Sequence, residues 1–469
     1  MLFENLTTVG SVQSVNACEI KESRLGIGFE KLDRALFHPE NAYDPVAALG
    51  VKWIRLQSGW ARTEKELGKY DFAWLDEIVD QLLERKLRPW LCLCYGNNLY
   101  TTAAKDVFMA TGCAPVKTQN EREAWKRYVN AVAKHYCGRI SHFEVWNEPD
   151  GSLSWKSGPD GKEYGQMVLD TVEAVRSAQP NAYMIAGSCF SWDLSWYNKF
   201  LCTGAAKVIN AISYHGYNTD ERMNSYRVRA IRSLTARYNP TLEFIQGETG
   251  AQSRSDGCGA HSGAAWTPRR QANKMLRHTI NDFSCDVKFS SYFSAVDMAE
   301  ALDPKNAIVE KRNDFGYFGL LQSEFDEKGI AKNYTPKLSY HVMQVVAAIF
   351  QGEFTVSNLP ILPHSMGSQR ILRNEDSCVD LTLHGFQRQN GAALLAYWKP
   401  TELLTTQYEA TISFEIAQLP QPARLVDPFS GTIYQIPDSM IKNSGDNNFL
   451  FKNLPLTEYP LFLIFGDFA

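Results

Sequence analysis

Short apolar runs alternate with longer segments of helical period along the first two thirds of the chain. Ile27-Gly28-Phe29-Glu30 and residues 51–56 read as strands, and Phe72, Leu75, Ile78, Val79, Leu82 and Leu83 then recur on one face of a helix. A third strand is predicted over 89–95 and a second helix around Trp125, Tyr128, Val129, Val132 and Tyr136. The run Phe143-Glu144-Val145-Trp146-Asn147-Glu148-Pro149 follows, an apolar strand that ends in an amide, a carboxylate and a proline. Further strands are predicted at 183–187, 211–215, 242–250 and 287–293, with helices between them. A last helix is expected to open with Thr335 as its cap and Pro336 in its first position.

Strands alternating with helices predict a parallel sheet, and about eight such units over ~330 residues predict closure into a (β/α)₈ TIM barrel. No dinucleotide-binding or phosphate-binding glycine loop follows the first strand. From about residue 352 the helical period disappears, and short alternating strands at 379–384, 393–398, 410–414 and 460–465 read as a small β-sandwich. The expected organisation is therefore an α/β catalytic barrel over 17–351 and a C-terminal β-sandwich over 352–469, joined by an N-terminal strand from 1–16.

At 469 residues and 44% hydrophobic content, the chain can bury a large core. The net charge of −4, with no row of Lys and Arg, argues against nucleic acid as a partner. No apolar run is long enough to cross a bilayer. The first residues lack a signal-peptide pattern, so a cytoplasmic location is expected, with the ten cysteines as free thiols; secretion after loss of a leader is the alternative. There is no CxxC pair, no HExxH and no histidine cluster, so neither a metal nor an organic cofactor is expected. Whether the chain forms a homo-oligomer stays open.

Two strands, the fourth and the seventh, finish with a glutamate: Glu148 and Glu248. In a barrel those tips face each other across the mouth, an arrangement suited to cleaving a glycosidic bond. Carboxyl groups about 5 to 5.5 Å apart would serve double displacement with retention, and roughly 6.5 to 9.5 Å would leave room for a water and inversion. Glu148 is the candidate proton donor, and Asn147 beside it can bond the sugar hydroxyl next to the reacting carbon. Glu248 is the candidate nucleophile, kept ionised by Arg55 and Tyr217. His215, at the tip of the sixth strand, is either a substrate contact or a structural histidine. Trp60, Tyr95, Trp146, Trp155, Trp192 and Trp266 fall at or just beyond strand ends, where they could stack on sugar faces or simply pack. Asp297 is either a hydroxyl partner or an ordinary loop carboxylate, and the small-residue loop 251–261 is either a lid or a connector.

Trp146-Asn147-Glu148-Pro149 at the fourth strand end, with Glu248 at the seventh, resembles the clan A retaining glycoside hydrolases. Residues 143–187 most resemble their family thirty-nine, of β-xylosidase type, and Gly319-Leu320-Leu321 followed by Lys337-Leu338-Ser339-Tyr340 is similar to the phrase leading into that clan's last barrel helix. The resemblance implies Glu148 as acid/base and Glu248 as nucleophile, and Arg55, His215 and Tyr217 match positions that the clan commonly fills with an arginine and a histidine or tyrosine. It also implies an equatorial, β-linked glycoside. One departure is visible: where many members carry a tryptophan at the eighth strand, this chain reads Tyr292-Phe293-Ser294-Ala295-Val296-Asp297. The expected function is a retaining, exo-acting glycosidase on a carbohydrate substrate, with an endo-acting glycanase or a non-catalytic carbohydrate-binding barrel as alternatives.

Overall fold

A computed structural model describes residues 2–300, 314–364 and 380–468. Eight parallel strands close into a barrel: β1 (Leu25–Gly28), β2 (Trp53–Gln57), β3 (Arg88–Leu93), β4 (His142–Val145), β5 (Tyr183–Cys189), β6 (Ala211–His215), β7 (Glu243–Thr249) and β8 (Ser290–Tyr292). β1 pairs with both β2 and β8, so the sheet has no open edge.

Local chemistry fixes where each unit starts and stops. The helix Gln119–His135 opens with a reciprocal capping box between Thr118 and Glu121 and buries Trp125, Tyr128, Val129 and Val132. Thr267 caps the helix Pro268–Ser284, with Pro268 in the first turn. Such helices return the chain to the same end of the barrel each time, so the polar tips of β4 and β7 emerge together on its C-terminal face.

Inside the barrel the lower layer is apolar: Trp53, Trp90, Ile185, Ala211, Ile245 and Phe289, with Trp53 stacked on Phe289 at 4.6 Å between ring centroids. Above it the interior turns polar, with Arg55 and Glu144 fully buried. Charges so placed are tolerated only when paired, which ties this layer to the site above it.

The last helix departs from the sequence expectation. Thr335 and Pro336 end a strand, Ala331–Pro336, paired with Leu321–Phe325, and the helix runs Leu338–Ile349 after Lys337. Pro336 closes a strand instead of opening a helix, a position where its missing N–H costs little.

The C-terminal residues form two antiparallel sheets, the β-sandwich that the alternating pattern predicts. The seven-stranded sheet takes its edge strand, Thr7–Ser11, from the N-terminal segment, against Thr432–Gln435. The strand expected from 379 runs Thr382–Gln387, and Val379 itself lies outside the described residues. The four-stranded sheet comprises Ile361–His364, Glu409–Ala417, Asn448–Thr457 and Ile441–Gly445, in that order. Trp398 Nε1 donates to Glu221 Oε1 of a barrel helix at 3.0 Å, and Arg277 Nη1 donates to the Thr401 carbonyl at 3.0 Å. Among the described residues no helix is long and apolar enough to cross a membrane.

Candidate active site

Glu148 sits just past the end of β4, where the backbone turns sharply: Trp146 (φ 66°) and Glu148 (φ 47°) both adopt the left-handed region that side-chain-bearing residues seldom occupy. The turn is held by the Glu148 N–H donating to the Ser188 carbonyl of β5 at 3.1 Å. It sends the Trp146 ring down into the helix shell and leaves Asn147 and Glu148 at the mouth. Glu248 lies in β7 itself, after Gly247, where a Cβ would fall 2.2 Å from Ser213 Oγ. A glycine is what lets β7 pass β6 closely enough to bring Glu248 inward.

The two carboxylates meet over His215. Its Nδ1 lies 2.9 Å from Glu148 Oε1 and 3.9 Å from Glu248 Oε2. One ligand-type atom from each of Glu148, His215 and Glu248 lies within 4.8 Å of the others. Tyr217 OH donates to Glu248 Oε1 at 2.7 Å, and Arg55 Nη1 donates to Glu248 Oε2 at 2.7 Å. The same guanidinium donates from Nη2 to Glu144 Oε2 at 2.6 Å and to Asn147 Oδ1 at 2.9 Å, and from Nη1 to Glu30 Oε2 at 3.0 Å. Asn147 Nδ2 in turn donates to Tyr95 OH at 3.0 Å.

This asymmetry sets the proton affinities. Burial pushes Glu148 above the usual carboxylate range, against the pull of His215. Glu248 is the more buried of the two, yet His215, Arg55 and the Tyr217 hydrogen bond outweigh desolvation and hold it below that range. His215 is raised overall because the two carboxylates outweigh its burial. The trio is also the one group among the described residues close enough to share an ion. Arg55 Nη1 donates to one Glu248 oxygen and the Tyr217 hydroxyl to the other, so each already accepts a hydrogen bond.

The carboxylates open into a cleft of about 840 Å³. Asn147, Tyr95 and Tyr217 line it, and Arg55 bonds Asn147 and Glu248 from beneath. Several lining residues went unnoticed in the sequence. Glu30, Lys31, Arg34 and Gln57 come from the tips of β1 and β2, and Phe293 stands at the eighth strand where a tryptophan is common in the resembling clan. Leu153 and Phe190, 67% and 44% exposed, form an apolar rim. Glu30 repeats the strand-tip glutamate pattern of β4 and β7, a signal that was there to be read.

Four sequence candidates are corrected. Trp60 is fully buried, stacked between Tyr100 and Tyr128 with Nε1 donating to Glu64. Trp146 is fully buried among Tyr95, Trp125 and Trp155, and its Nε1 donates to the Ser154 carbonyl at 2.8 Å. Trp266 packs with Ala251 and Leu403, its Nε1 on the His261 carbonyl. These rings are support beneath the cleft, because the helix shell needs large apolar filling where the strand tips flare. Asp297 is neither a substrate contact nor an ordinary loop carboxylate: it is buried and paired with Lys337 Nζ at 2.6 Å, and accepts from the Gly319 N–H. Trp155 is likewise buried, and Trp192 lies against Tyr214. The loop 251–261 is tied down through Gln252, whose Nε2 donates to the Cys258 carbonyl at 2.6 Å, while Cys258, Gly259 and Ala260 line the cleft.

The profile of Glycosyl hydrolases family 39 matches residues 50–240, which include Glu148. A β-xylosidase of Geobacillus stearothermophilus is 27% identical over 160 residues, 32% of this chain and 31% of the relative, so the match spans about a third of that relative's length. Among solved structures, a family 39 glycoside hydrolase from Bacteroides cellulosilyticus WH2 aligns over 97% of this chain and 83% of its own, with a TM-score of 0.66 at 14% identity. A monomeric β-xylosidase from Caulobacter crescentus CB15 aligns over 98% and 97%, with a TM-score of 0.60 at 16% identity. At such identities these two speak for the fold: the barrel and the appended sandwich recur together. Residues 50–240 are thus similar to glycosyl hydrolases family 39, and part of that stretch to the curated β-xylosidase.

Proposed function

We propose that this protein is a retaining glycoside hydrolase that cleaves β-linked glycosides from the chain end, with Glu148 as acid/base and Glu248 as nucleophile. The observation that carries the reading is the pairing of two carboxylates with opposite proton affinities, one oxygen of each within 4.8 Å of the other. That close approach favours double displacement, for which the carboxyl groups stand about 5 to 5.5 Å apart. In the first step Glu248 attacks the anomeric carbon and forms a glycosyl ester, while Glu148 passes its proton to the departing oxygen. In the second, Glu148 takes a proton from water as the water oxygen attacks that carbon, and Glu248 leaves as carboxylate. Asn147, oriented by Arg55 and Tyr95, is placed to bond the neighbouring sugar hydroxyl. Exo action on β-xylosides is suggested by the names of the curated relatives.

A panel of nitrophenyl glycosides that includes the β-xyloside tests the activity. Turnover of none of them, nor of oligosaccharides, would favour a carbohydrate-binding barrel. Given turnover, Glu248→Ala with azide should yield a glycosyl azide of inverted configuration; a missing adduct in the presence of an active wild type would sink the assignment.

A further inference from the structure

Three carboxylates converge on one guanidinium beneath the cleft. Arg55 reaches Glu144 from β4, Glu248 from β7 and Glu30 from just past β1, and one nitrogen, Nη1, serves both Glu30 and Glu248. All three acids are buried, and a single positive charge cannot balance three negative ones there. Glu144 takes two hydrogen bonds on Oε2, from Nε and Nη2, with its Oε1 unpartnered, and Glu248 takes Nη1 and the Tyr217 hydroxyl, one on each oxygen. Glu30 takes one, on Oε2, and its buried Oε1 has no hydrogen-bond partner. That free oxygen is folded back over Gly28, where an added Cβ would lie 2.7 Å from it.

We propose that Glu30 is a positioning residue that carries the surplus proton of this cluster, and that its neutral form leaves Arg55 Nη1 committed to Glu248. This rests on Glu248 being the nucleophile. The charged and titratable groups facing Glu30 are Arg55, Glu248, His215 and, across the site, Tyr217. Burial and the Glu248 charge prevail over Arg55 and His215 and push the Glu30 carboxyl up to about 8. Once ionised, Glu30 competes for Nη1 and repels Glu248, so the nucleophile loses its fixed orientation in mildly alkaline solution.

Two measurements on Glu30→Gln separate this inference from the activity on which it rests. The first is the melting temperature against pH, which needs no substrate. A carboxyl raised in the folded state stabilises fully below its unfolded value near 4.5 and loses that contribution as pH rises through the folded value of about 8. The gain in melting temperature of Glu30→Gln over wild type should therefore widen between about pH 5 and about pH 8; a constant difference overturns the proton assignment. The second is kcat/KM on a dinitrophenyl β-xyloside, whose leaving group needs no proton from Glu148. In wild type it should fall about 10-fold from pH 6 to pH 9, as one ionisation near 8 requires. In Glu30→Gln that ratio should approach one. Gly28→Ala, whose new methyl displaces the same carboxyl toward solvent, should move the fall to lower pH. A wild-type fall that persists unmoved in both variants overturns the link to the nucleophile, even if the melting data hold.

Discussion

The tips of β4 and β7 are written alike, each an apolar strand closing on a glutamate, but the barrel treats them differently. Glu148 faces a histidine and the cleft, with no guanidinium on it, and burial raises its proton affinity. Glu248 is gripped from below by Arg55 and from the side by Tyr217, which favour its charged form although it is the more buried of the two. The lesson is that chemical role follows from neighbours on other strands. A donor's presence on β2, residue Arg55, decides what a carboxylate on β7 can do.

The comparison is broken most severely by Glu248→Ala, which should lower kcat/KM on the order of 100,000-fold whatever the leaving group, read in steady-state assays. Glu148→Ala should cost about 100- to 10,000-fold on an alkyl or sugar leaving group and far less on a dinitrophenyl one, because the latter departs unaided. Equal losses on both leaving groups would erase the distinction between the two tips. Tyr217→Phe removes one hydrogen bond to a charged oxygen, so about a 10- to 100-fold loss is expected, with a raised acidic limb of the pH profile as Glu248 becomes easier to protonate. The smallest effect is on stability. Glu148, raised in the fold, stabilises at low pH and loses that contribution as pH rises past its unfolded value. Glu248, lowered, contributes above its unfolded value and loses that as pH falls through its folded one. Melting curves of Glu148→Gln and Glu248→Gln should therefore diverge from wild type at opposite ends of the pH range.

The barrel was legible because strand and helix periods alternate without interruption, and Glu148 and Glu248 because a carboxylate after an apolar run has nowhere to go but the strand tip. Trp146 was misread for the same reason that it attracted notice. It directly precedes Asn147, but the left-handed turn at φ 66° swings its ring away from the mouth, and nothing in the linear pattern announces such a turn. Asp297 escaped because its partner Lys337 is remote in sequence and only the closed fold pairs them. Thr335 and Pro336 look like a helix start in isolation; cross-strand pairing with Leu321 and Gln322 overrides that local preference. Phe190 and Leu153 belong to loops whose path over the cleft no periodicity encodes.

The edge strand Thr7–Ser11 finds its place only against Thr432–Gln435. During synthesis that segment must therefore wait, unpaired, while the ribosome delivers the entire barrel and most of the sandwich, since its hydrogen-bonding partner is made late. Tying Thr7–Ser11 into the lobe built from residues beyond 352 makes the finished seven-stranded sheet a clasp, one that shuts only once Thr432–Gln435 has been made.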